Sequence, residues 1–295
     1  ILNNPVTCRK VIEDELIEVR EKFGDERKTE IEYSAEEMNA EDFYADDPMI
    51  ITISHFGYIK RTPLIEYRTQ ARGGVGAKGS ETRDEDFIER VFEATNHNYM
   101  LFFTEQGRCY WLRVFEIPEG SKNSKGRAIQ NLLNLGPDNR VQAIIRVTKL
   151  KDPEYNESHN IVFATKNGVV KKTALKEYSR PRTNGVIAIN LLENDQLIDA
   201  VLTEGDSEII LANKNGRAIR FNENQVRNMG RPSTGVKGMT LDGPGDGIVG
   251  MICMRTGAND NVLVVSEKGM GKRSELDDYR ITHRGGKGVK TMNIT

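Results

Sequence analysis

The chain has 295 residues, of which 37% are hydrophobic and 29% charged, values typical of a soluble protein with room for one large domain and an appendage. It contains no apolar run long enough to span a bilayer and no basic-then-apolar leader. Its three cysteines (Cys8, Cys109 and Cys253) and its four histidines are scattered. This spacing argues for a reducing cytosol and against disulfides or a metal centre, so we expect a cytoplasmic protein without metal.

The small net charge of −2 hides a strong segregation of charge. Residues 1–48 contain 6 basic and 15 acidic residues, whereas residues 49–295 contain 36 basic and 29 acidic residues. Two regions of opposite sign indicate two different roles. The basic region is a candidate for a polyanion partner, although such a surplus of charge also occurs in domains that are simply well solvated.

The acidic region begins with a predicted helix over residues 1–24. Asn4 is a suitable N-cap, Pro5 fits the first helical position, and Gly24 is a suitable stop. The chain opens with Ile1-Leu2 and no initiator Met, so we expect residues 1–32 to be the tail of a longer helical element; an ordinary amphipathic helix is the alternative. One apolar stripe is predicted along this helix, formed by Ile12, Leu16, Val19 and Phe23.

Residues 33–48 contain six acidic residues and no basic ones, and Pro48 closes the segment. This composition predicts a linker. An alternative is a solvated acidic arm that competes with nucleic acid for the basic domain.

A short motif recurs five times in the basic region. It has the form Ser/Thr/Asn-x-x-Gly, and its glycines are 50, 61, 48 and 53 residues apart. Self-similarity at such a period is typical of a propeller or a solenoid. The copies are Ser54-His55-Phe56-Gly57, Thr104-Glu105-Gln106-Gly107, Thr165-Lys166-Asn167-Gly168, Asn213-Lys214-Asn215-Gly216 and Ser266-Glu267-Lys268-Gly269.

Each copy of the motif predicts a β-hairpin, because a β-branched apolar run precedes it and a more polar run follows. Asn167-Gly168 and Asn215-Gly216 predict tight turns with positive φ at both central residues. Apolar strands between the copies bring each unit to roughly four strands, the content of one propeller blade. We therefore predict an all-β, propeller-like domain over residues 49–295, with five visible units.

A glycine-rich segment ends the first unit. Glycine has no side chain to pack, so the segment fits a loop whose backbone approaches a ligand, and its flanking cations suit phosphate. A flexible loop with incidental charge is the alternative. The segment consists of Gln70, Ala71, Arg72, Gly73, Gly74, Val75, Gly76, Ala77, Lys78 and Gly79.

At this point the sequence resembles a known family, the C-terminal domain of the DNA gyrase A subunit, over essentially the whole chain. Residues 70–79 stand where that family carries its gyrase box, a Gln-basic-Arg-Gly-Gly-basic-Gly element. The resemblance is also carried by Asp14-Glu15-Leu16, Glu21-Lys22-Phe23-Gly24-Asp25-Glu26-Arg27, Thr29-Glu30-Ile31, Lys60-Arg61-Thr62, Glu66-Tyr67, Glu85-Asp86-Phe87-Ile88, Gly107-Arg108, Lys171-Lys172-Thr173, Arg182-Thr183 and Gly235-Val236-Lys237-Gly238.

The box of this chain departs from the family pattern, since Ala71 and Val75 stand where basic residues are usual. Arg284-Gly285-Gly286-Lys287-Gly288 is closer to the consensus but lies in the fifth unit, and we interpret it as an internal echo of the box. The family usually has six blades, so a sixth is either missing here or shared.

The resemblance implies a β-pinwheel whose blades exchange strands, preceded by the end of a coiled-coil helix. Duplex DNA would wrap around its basic rim without sequence specificity, in the positive sense that lets gyrase introduce negative supercoils. The predicted DNA contacts are Lys60, Arg61, Arg72, Lys78, Arg113, Lys122, Lys125, Arg127, Lys171, Lys172, Arg180, Arg182, Arg220, Arg227, Arg231, Lys237, Lys272, Arg273, Arg284, Lys287 and Lys290.

The same resemblance places catalysis outside this chain. The family's strand-cleaving tyrosine lies in a preceding domain and its ATPase in the other gyrase polypeptide. We therefore expect no catalytic residue and no cofactor here, with ATP and Mg²⁺ used by the holoenzyme. The expected partners are duplex DNA, the rest of the gyrase A polypeptide and the gyrase B polypeptide in an A2B2 heterotetramer at the cytoplasmic nucleoid, without a membrane.

Two other functions stay open on the sequence alone. The corresponding domain of topoisomerase IV lacks an intact box and would assist substrate selection without strong wrapping. A propeller that scaffolds protein partners would bind with little dependence on salt, whereas DNA binding depends steeply on it.

Overall fold

The computed structural model describes residues 4–26, 29, 39–67, 79–136, 139–257 and 260–294. The chain forms two compact units, residues 1–42 and residues 43–295. Residues 30–38, which span the predicted end of the helical tail and start of the linker, lie outside the described residues. Within the described ranges, no helix is long and apolar enough to cross a membrane.

The first unit contains helix α1, Pro5–Phe23. The side chain of Asn4 accepts a hydrogen bond from the Val6 N–H at 3.0 Å, which satisfies one of the unpaired donors of the first turn. At the other end, the Gly24 N–H donates to the Arg20 carbonyl oxygen at 2.8 Å. The predicted helix therefore forms, and within this unit its apolar stripe stays exposed.

The second unit is built almost entirely from short strands. It also contains one short helix, α2 (Pro153–Ser158), and a 3-10 turn at Ile129–Asn131. A further 3-10 turn follows the second strand of each hairpin. These turns are Leu64–Glu66, Val114–Glu116, Leu175–Tyr178, Glu223–Gln225 and Leu276–Asp278. The strands are β1 Pro48–Ser54, β2 Tyr58–Pro63, β3 Ile88–Thr95, β4 Tyr99–Thr104, β5 Arg108–Arg113, β6 Arg127–Ala128, β7 Val141–Val147, β8 Asn160–Thr165, β9 Val169–Ala174, β10 Val186–Ile187, β11 Leu197–Thr203, β12 Ser207–Asn213, β13 Arg217–Asn222, β14 Val236–Lys237, β15 Ile248–Arg255, β16 Asn261–Val265, β17 Gly271–Glu275 and β18 Val289–Lys290.

The strands form four antiparallel sheets of four strands and one pair, β16–β17. The strand orders are β3-β1-β2-β6, β7-β4-β5-β10, β11-β8-β9-β14 and β15-β12-β13-β18. The last strand of every four-stranded sheet comes from the next unit along the chain. For example, β6 follows β5 but pairs with β2, where Ile59 lies opposite Arg127. The predicted pinwheel with exchanged strands is thus confirmed.

The hairpin turns differ from the prediction in one respect. In these turns only the glycine has a positive φ. Among the described non-glycine residues, Glu85 and Asn194 alone have a positive φ, and neither lies in a turn of the motif. The first residue of the motif explains the difference, because its side chain accepts a hydrogen bond from the N–H that follows the glycine. In the third copy, the Val169 N–H donates to Thr165 Oγ1 at 3.2 Å, and the Gly168 N–H to the Thr165 carbonyl at 3.0 Å.

A second recurring glycine precedes each exchanged strand. Gly126, Gly185, Gly235 and Gly288 all have φ between 65° and 109°. An added Cβ at Gly235 would lie 2.5 Å from the carbonyl oxygen of Val170, which belongs to the strand that β14 pairs with. Only glycine fits a backbone that is both left-handed and this close to its partner.

The hydrophobic cores lie between neighbouring sheets. Side chains of a strand alternate between two faces, so β4 sends Met100 and Phe102 into the core shared with the first sheet and Leu101 and Phe103 into the core shared with the third. All six residues of β4 are buried. The β16–β17 pair packs on one side only, through residues such as Val262, while Leu263 on its other face is 68% exposed.

The glycine geometry generates the first prediction. Replacing Gly235 by Ala forces a strained φ and a Cβ–oxygen clash, and we expect the free energy of unfolding to fall by about 2–4 kcal/mol. Gly250 is the control, because an added Cβ there meets nothing within 4 Å. Gly250→Ala should change the free energy by less than about 1 kcal/mol. Urea denaturation measures both, and equal effects of the two changes would contradict the proposed constraint.

Candidate nucleic-acid interface

The structure divides the predicted DNA contacts into three groups. Arg72 and Lys78 lie outside the described residues, together with the rest of residues 70–78. Most of the remaining cations are exposed or half-buried. Five are buried, with 7% or less of the residue exposed, namely Lys60, Arg61, Lys171, Lys172 and Arg220.

Arg220 on β13 shows what these buried cations do. Its Nε and Nη2 atoms lie 2.6 and 2.5 Å from Oε2 of Glu208, which is itself 2% exposed. Its Nη1 donates to the carbonyl oxygens of Leu276 and Tyr279, at 2.8 and 3.0 Å. Those carbonyls belong to the 3-10 turn after the next hairpin and to its C-cap, Tyr279. The guanidinium therefore joins two successive units.

The same position in other units makes the same connection, always four residues after the turn glycine. Arg61 Nε donates to the Ile117 carbonyl at 2.8 Å, and Lys172 Nζ to the Glu223 carbonyl at 3.3 Å. In the second unit the donor is an indole, since Trp111 Nε1 donates to the Tyr178 carbonyl at 3.0 Å. In four units, therefore, the side chain at this position donates a hydrogen bond to a carbonyl of the next unit.

The five buried cations were predicted to contact DNA, and their burial and internal hydrogen bonds argue against such contacts. Their N–H groups are bonded to carbonyl or carboxylate oxygens inside the domain, and leaving those partners buried and unpaired would cost about 1–3 kcal/mol each. Lys60 and Lys171, which precede Arg61 and Lys172, likewise bond to backbone carbonyls. In three of the five units, the basic residue four positions after the turn glycine is buried between units.

Three further predicted contacts lie on the hairpins themselves. Arg113 is half-buried, and its guanidinium carbon lies 5.0 and 5.4 Å from the ring centroids of Tyr99 and Phe115. Lys272 and Arg273 are exposed on β17. Arg273 stands four residues after its turn glycine, at the position that Arg220 occupies in the preceding unit.

The other predicted DNA contacts that are exposed or half-buried lie in four loops that lead into the exchanged strands. We call these loops and strands, residues 117–128, 179–187, 227–237 and 280–290, the cationic belt. Together they contain twelve basic residues and one acidic residue, Glu119, in a chain whose net charge is −2. The basic residues of the belt are Lys122, Lys125, Arg127, Arg180, Arg182, Arg227, Arg231, Lys237, Arg280, Arg284, Lys287 and Lys290.

Hydrogen bonds connect each part of the cationic belt to the loop of the next unit. Asn134, just after the first part, donates from Nδ2 to Asn184 Oδ1 at 3.4 Å. Asn190, after the second part, donates from its backbone N–H to the Ser233 carbonyl at 3.2 Å. After the third part, the Thr240 N–H donates to the Gly286 carbonyl at 2.9 Å. The segment that follows each of the first three parts is therefore bonded to the next loop, which links the belt in series through four units.

Ion pairs neutralise little of this path. Arg231 Nε is 4.0 Å from Oε2 of Glu177, and Lys287 Nζ is 3.9 Å from Oδ1 of Asp242, both at least partly exposed to solvent. Exposed pairs of this kind contribute about 0–1 kcal/mol and break easily. The arrangement is suited to a polyanion that exchanges its counterions for side chains at many points.

For the predicted gyrase box, only the elements before and after it in the chain can be located. It follows the 3-10 turn Leu64–Glu66, as the loops of the cationic belt follow their own 3-10 turns. Of its residues Gly79 alone is described, and its carbonyl accepts a hydrogen bond from Tyr67 Oη at 3.2 Å. The echo sequence Arg284–Gly288 lies in the corresponding loop of the fifth unit.

Sequence reasoning missed two features of the site. Arg280 is exposed and belongs to the cationic belt. It would have been found by aligning the loops on the glycine that precedes each exchanged strand. The buried carboxylate partners were also missed, since nothing in the pattern around Glu208 or Glu223 distinguishes them from exposed acids.

The buried pair of Arg220 and Glu208 generates the second prediction. Replacing Arg220 by Met leaves the carboxylate buried and unpaired, and we expect a loss of about 3–5 kcal/mol in the free energy of unfolding. Adding Glu208→Met should recover much of that loss. The control is Arg255→Met, whose pair with Glu204 is 84% and 63% exposed and should contribute less than about 1 kcal/mol. Similar losses in Arg220→Met and Arg255→Met would argue against the buried connection.

The third prediction concerns pH. Burial, reinforced by the nearby Arg231, lowers the pKa of Lys171 to about 7. Between pH 7 and the ordinary lysine pKa, the unfolded chain holds a proton that the folded chain lacks, so this residue makes stability rise with pH and level off below pH 7. The urea midpoints of the unaltered chain and of Lys171→Met are compared from pH 6 to pH 9. Below pH 7 the two midpoints should change with pH in parallel. Above pH 7 the midpoint of the unaltered chain should rise relative to that of the variant. Parallel profiles throughout would contradict the lowered pKa.

Comparison with known proteins agrees with the repeat architecture. The family model described as DNA gyrase C-terminal domain, beta-propeller, matches residues 48–93, 98–148, 159–204, 207–253 and 260–295, which are the five units seen in the structure. The DNA gyrase A subunit of Staphylococcus aureus, in strains MRSA252 and NCTC 8325, is 43% identical over 296 aligned positions. The alignment covers all of this chain and 33% of each relative, so the chain spans about a third of their length.

Solved structures show the same fold. The C-terminal domain of a DNA topoisomerase IV superposes with a TM-score of 0.69 at 30% identity, covering 83% of this chain and 73% of the other. A DNA gyrase A C-terminal domain gives 0.63 at 27% identity, covering 82% and 76%. The C-terminal domain of ParC from E. coli, at 15% identity and a TM-score of 0.61 over 82% and 93%, supports the fold alone. The five matched repeats, the exchanged strands and the similarity to the gyrase A polypeptide together show that this chain belongs to the DNA gyrase C-terminal domain family.

Proposed function

We propose that this chain binds duplex DNA along the cationic belt and bends it around the domain, without reading its sequence. The observation that carries this proposal is the belt itself, which holds twelve basic residues and one acidic residue on loops hydrogen-bonded from unit to unit. Lysine and arginine on such a path contact phosphates, which every sequence presents alike.

The continuity of the path favours bending over simple binding. Bending a duplex by 40–90° over 20–30 base pairs costs about 1–6 kcal/mol, and one isolated patch offers few contacts to offset it. Successive loops supply such contacts in series: Lys125, Arg182, Arg227 and Lys287 are exposed in four different units. Each additional unit that reaches a phosphate also releases counterions, which adds to the driving force.

The role of this wrap in a larger protein is part of the proposal. The chain corresponds to a third of the length of the DNA gyrase A polypeptide, so strand cleavage would reside in other parts of the protein, and ATP hydrolysis with Mg²⁺ in a second polypeptide. A positive wrap would set the sign of the DNA crossing and so permit negative supercoiling. An A2B2 assembly in the cytoplasm is the corresponding expectation.

A second candidate is the role of a topoisomerase IV C-terminal domain, which is assistance in substrate selection without strong wrapping. It is favoured by the TM-score of 0.69 to such a domain and by the departures at Ala71 and Val75 from the expected box. The two functions separate in a minicircle assay, because strong positive wrapping changes the writhe of a relaxed circle and weak binding leaves it unchanged.

The fourth prediction tests DNA binding directly. The triple change Lys122→Ala, Lys125→Ala and Arg127→Ala removes three cations from one part of the cationic belt. We expect weaker binding of a duplex and a slope of log K against log salt that is shallower by about 2–3, since each lost phosphate contact removes about 0.9. Fluorescence anisotropy between 50 and 200 mM salt measures both quantities.

The control removes the same charge elsewhere, by changing Lys149, Lys166 and Lys214 to Ala, all exposed and outside the cationic belt. Its salt slope should stay close to that of the unaltered chain. Equal effects of the two triple variants would place binding outside the belt. A salt-independent affinity of the unaltered chain would favour a protein partner, and energy transfer between dyes on the duplex ends that does not rise on binding would rule out bending.

A further inference from the structure

Two buried lysines, Lys60 on β2 and Lys171 on β9, aim their charged ends at backbone carbonyls of the cationic belt. Both occupy the position three residues after the turn glycine of their unit. They are 3% and 0% exposed. A buried ammonium group is costly unless hydrogen bonds compensate its desolvation, so the groups around each Nζ atom indicate what the residue is for.

Lys60 holds the first part of the belt. Its Nζ lies 2.9, 2.8 and 2.8 Å from the carbonyl oxygens of Ser121, Lys122 and Ser124. An ammonium group has three donors, and all three are matched by carbonyls of one loop. These carbonyls fall within a stretch of four residues, so a single side chain from the preceding unit fixes the curvature of the loop. The half-buried Lys122 and the exposed Lys125 lie within or directly beside the fixed segment.

Lys171 holds the third part of the belt in a similar way. Its Nζ donates to the Ala188 carbonyl at 2.6 Å and also to the Arg231 carbonyl. Ala188 directly follows β10 and the second part of the belt, whereas Arg231 belongs to the third part, so one side chain joins the end of the second part to the third. A neutral amine keeps two N–H donors, which is enough for these two bonds even where burial lowers the pKa.

The other units achieve the same end without a lysine. In the second unit Tyr110 takes the equivalent position, and an added Cβ at Gly185 would lie 2.7 Å from its ring. In the fourth unit the position is Ile219, and the loop is held by one of its own residues, Arg284. Its Nε donates to the Gln225 carbonyl and its Nη1 to the Lys237 carbonyl, both at 2.9 Å. Holding these loops in place is therefore common to several units.

We propose that Lys60 and Lys171 are positioning residues for DNA binding: each holds one loop of the cationic belt in the shape that presents its exposed cations to phosphates. This inference rests on the proposed function. It assigns Lys60 to the loop that carries Lys122 and Lys125, and Lys171 to the loop that carries Arg227 and Arg231. Neither buried lysine touches DNA.

The first test needs no DNA. Lys60→Met and Lys171→Met keep the length of the side chain and remove the donors. In hydrogen exchange on the whole chain, Lys60→Met should speed exchange about tenfold or more within residues 119–126 and leave residues 227–235 unchanged, and Lys171→Met should do the reverse. Lys214→Met removes an exposed charge outside the belt and should alter neither segment.

The second test pairs these changes with the exposed cations. If Lys60 acts through its loop, Lys60→Met and Lys125→Ala should each weaken duplex binding about three- to tenfold, and the double variant should lose little more than either one. Lys60→Met combined with Arg227→Ala should instead multiply the two losses. Lys171→Met should show the opposite pairing, non-additive with Arg227→Ala and multiplicative with Lys125→Ala.

The outcomes separate the inference from the proposed function. Exchange that is unchanged in the assigned loops, or losses that multiply in every pairing, would overturn the positioning role. An unaltered chain that does not bind duplex would overturn the proposed function, while the exchange data would still decide whether the lysines hold the loops. Should Lys60→Met fail to fold, Lys60→Arg, which keeps several donors, is expected to exchange like the unaltered chain, and fast exchange confined to residues 119–126 in that variant would count against the inference.

Discussion

The structure depends on one constraint, which is that each four-stranded sheet is completed by a two-residue strand from the following unit. A hairpin alone leaves a row of unpaired backbone groups along its edge. Here β6, β10, β14 and β18 cover four such edges, and every one of them is preceded by a glycine with positive φ that lies against the partner strand. Each of these sheets needs the neighbouring unit, so the order of the units in the chain fixes their order in space.

The same constraint creates the cationic belt. To reach the preceding sheet, the chain must leave its own hairpin, pass the 3-10 turn and cross the gap between units as a loop. The crossing loops come close enough to bond one another, as Thr240 does to Gly286, and they expose most of their length to solvent. Cations placed on these loops are therefore brought into series by the backbone, whatever the spacing of the units along the sequence.

Basic residues consequently have two roles in this domain. On the second strand of three hairpins, buried cations lie between units. Arg220 and Lys172, for example, bond carbonyls of the next 3-10 turn and each pair with a buried carboxylate. Removing such a charge from water is expensive, and the ion pair offsets the cost only because backbone oxygens satisfy the remaining donors. On the crossing loops, by contrast, the cations are exposed or half-buried, and this is the basis for proposing that they contact phosphates. Neither the net charge nor the distribution of charge along the sequence distinguishes these two roles.

The sequence by itself determined the repeat, the hairpins, the helix with its Asn4 cap and the family, because these depend on local periodicity, on turn chemistry and on motifs. It did not determine that in Asn167-Gly168 only the glycine has a positive φ. The hydrogen bond from the Val169 N–H to the Thr165 side chain depends on the orientation of that side chain, which the sequence does not predict. The sequence also could not show that Arg220 is buried whereas Lys125 is exposed. Both are cations at recurring positions, but burial is decided by which unit packs on which strand, and that arrangement exists only once the exchanged strands have paired.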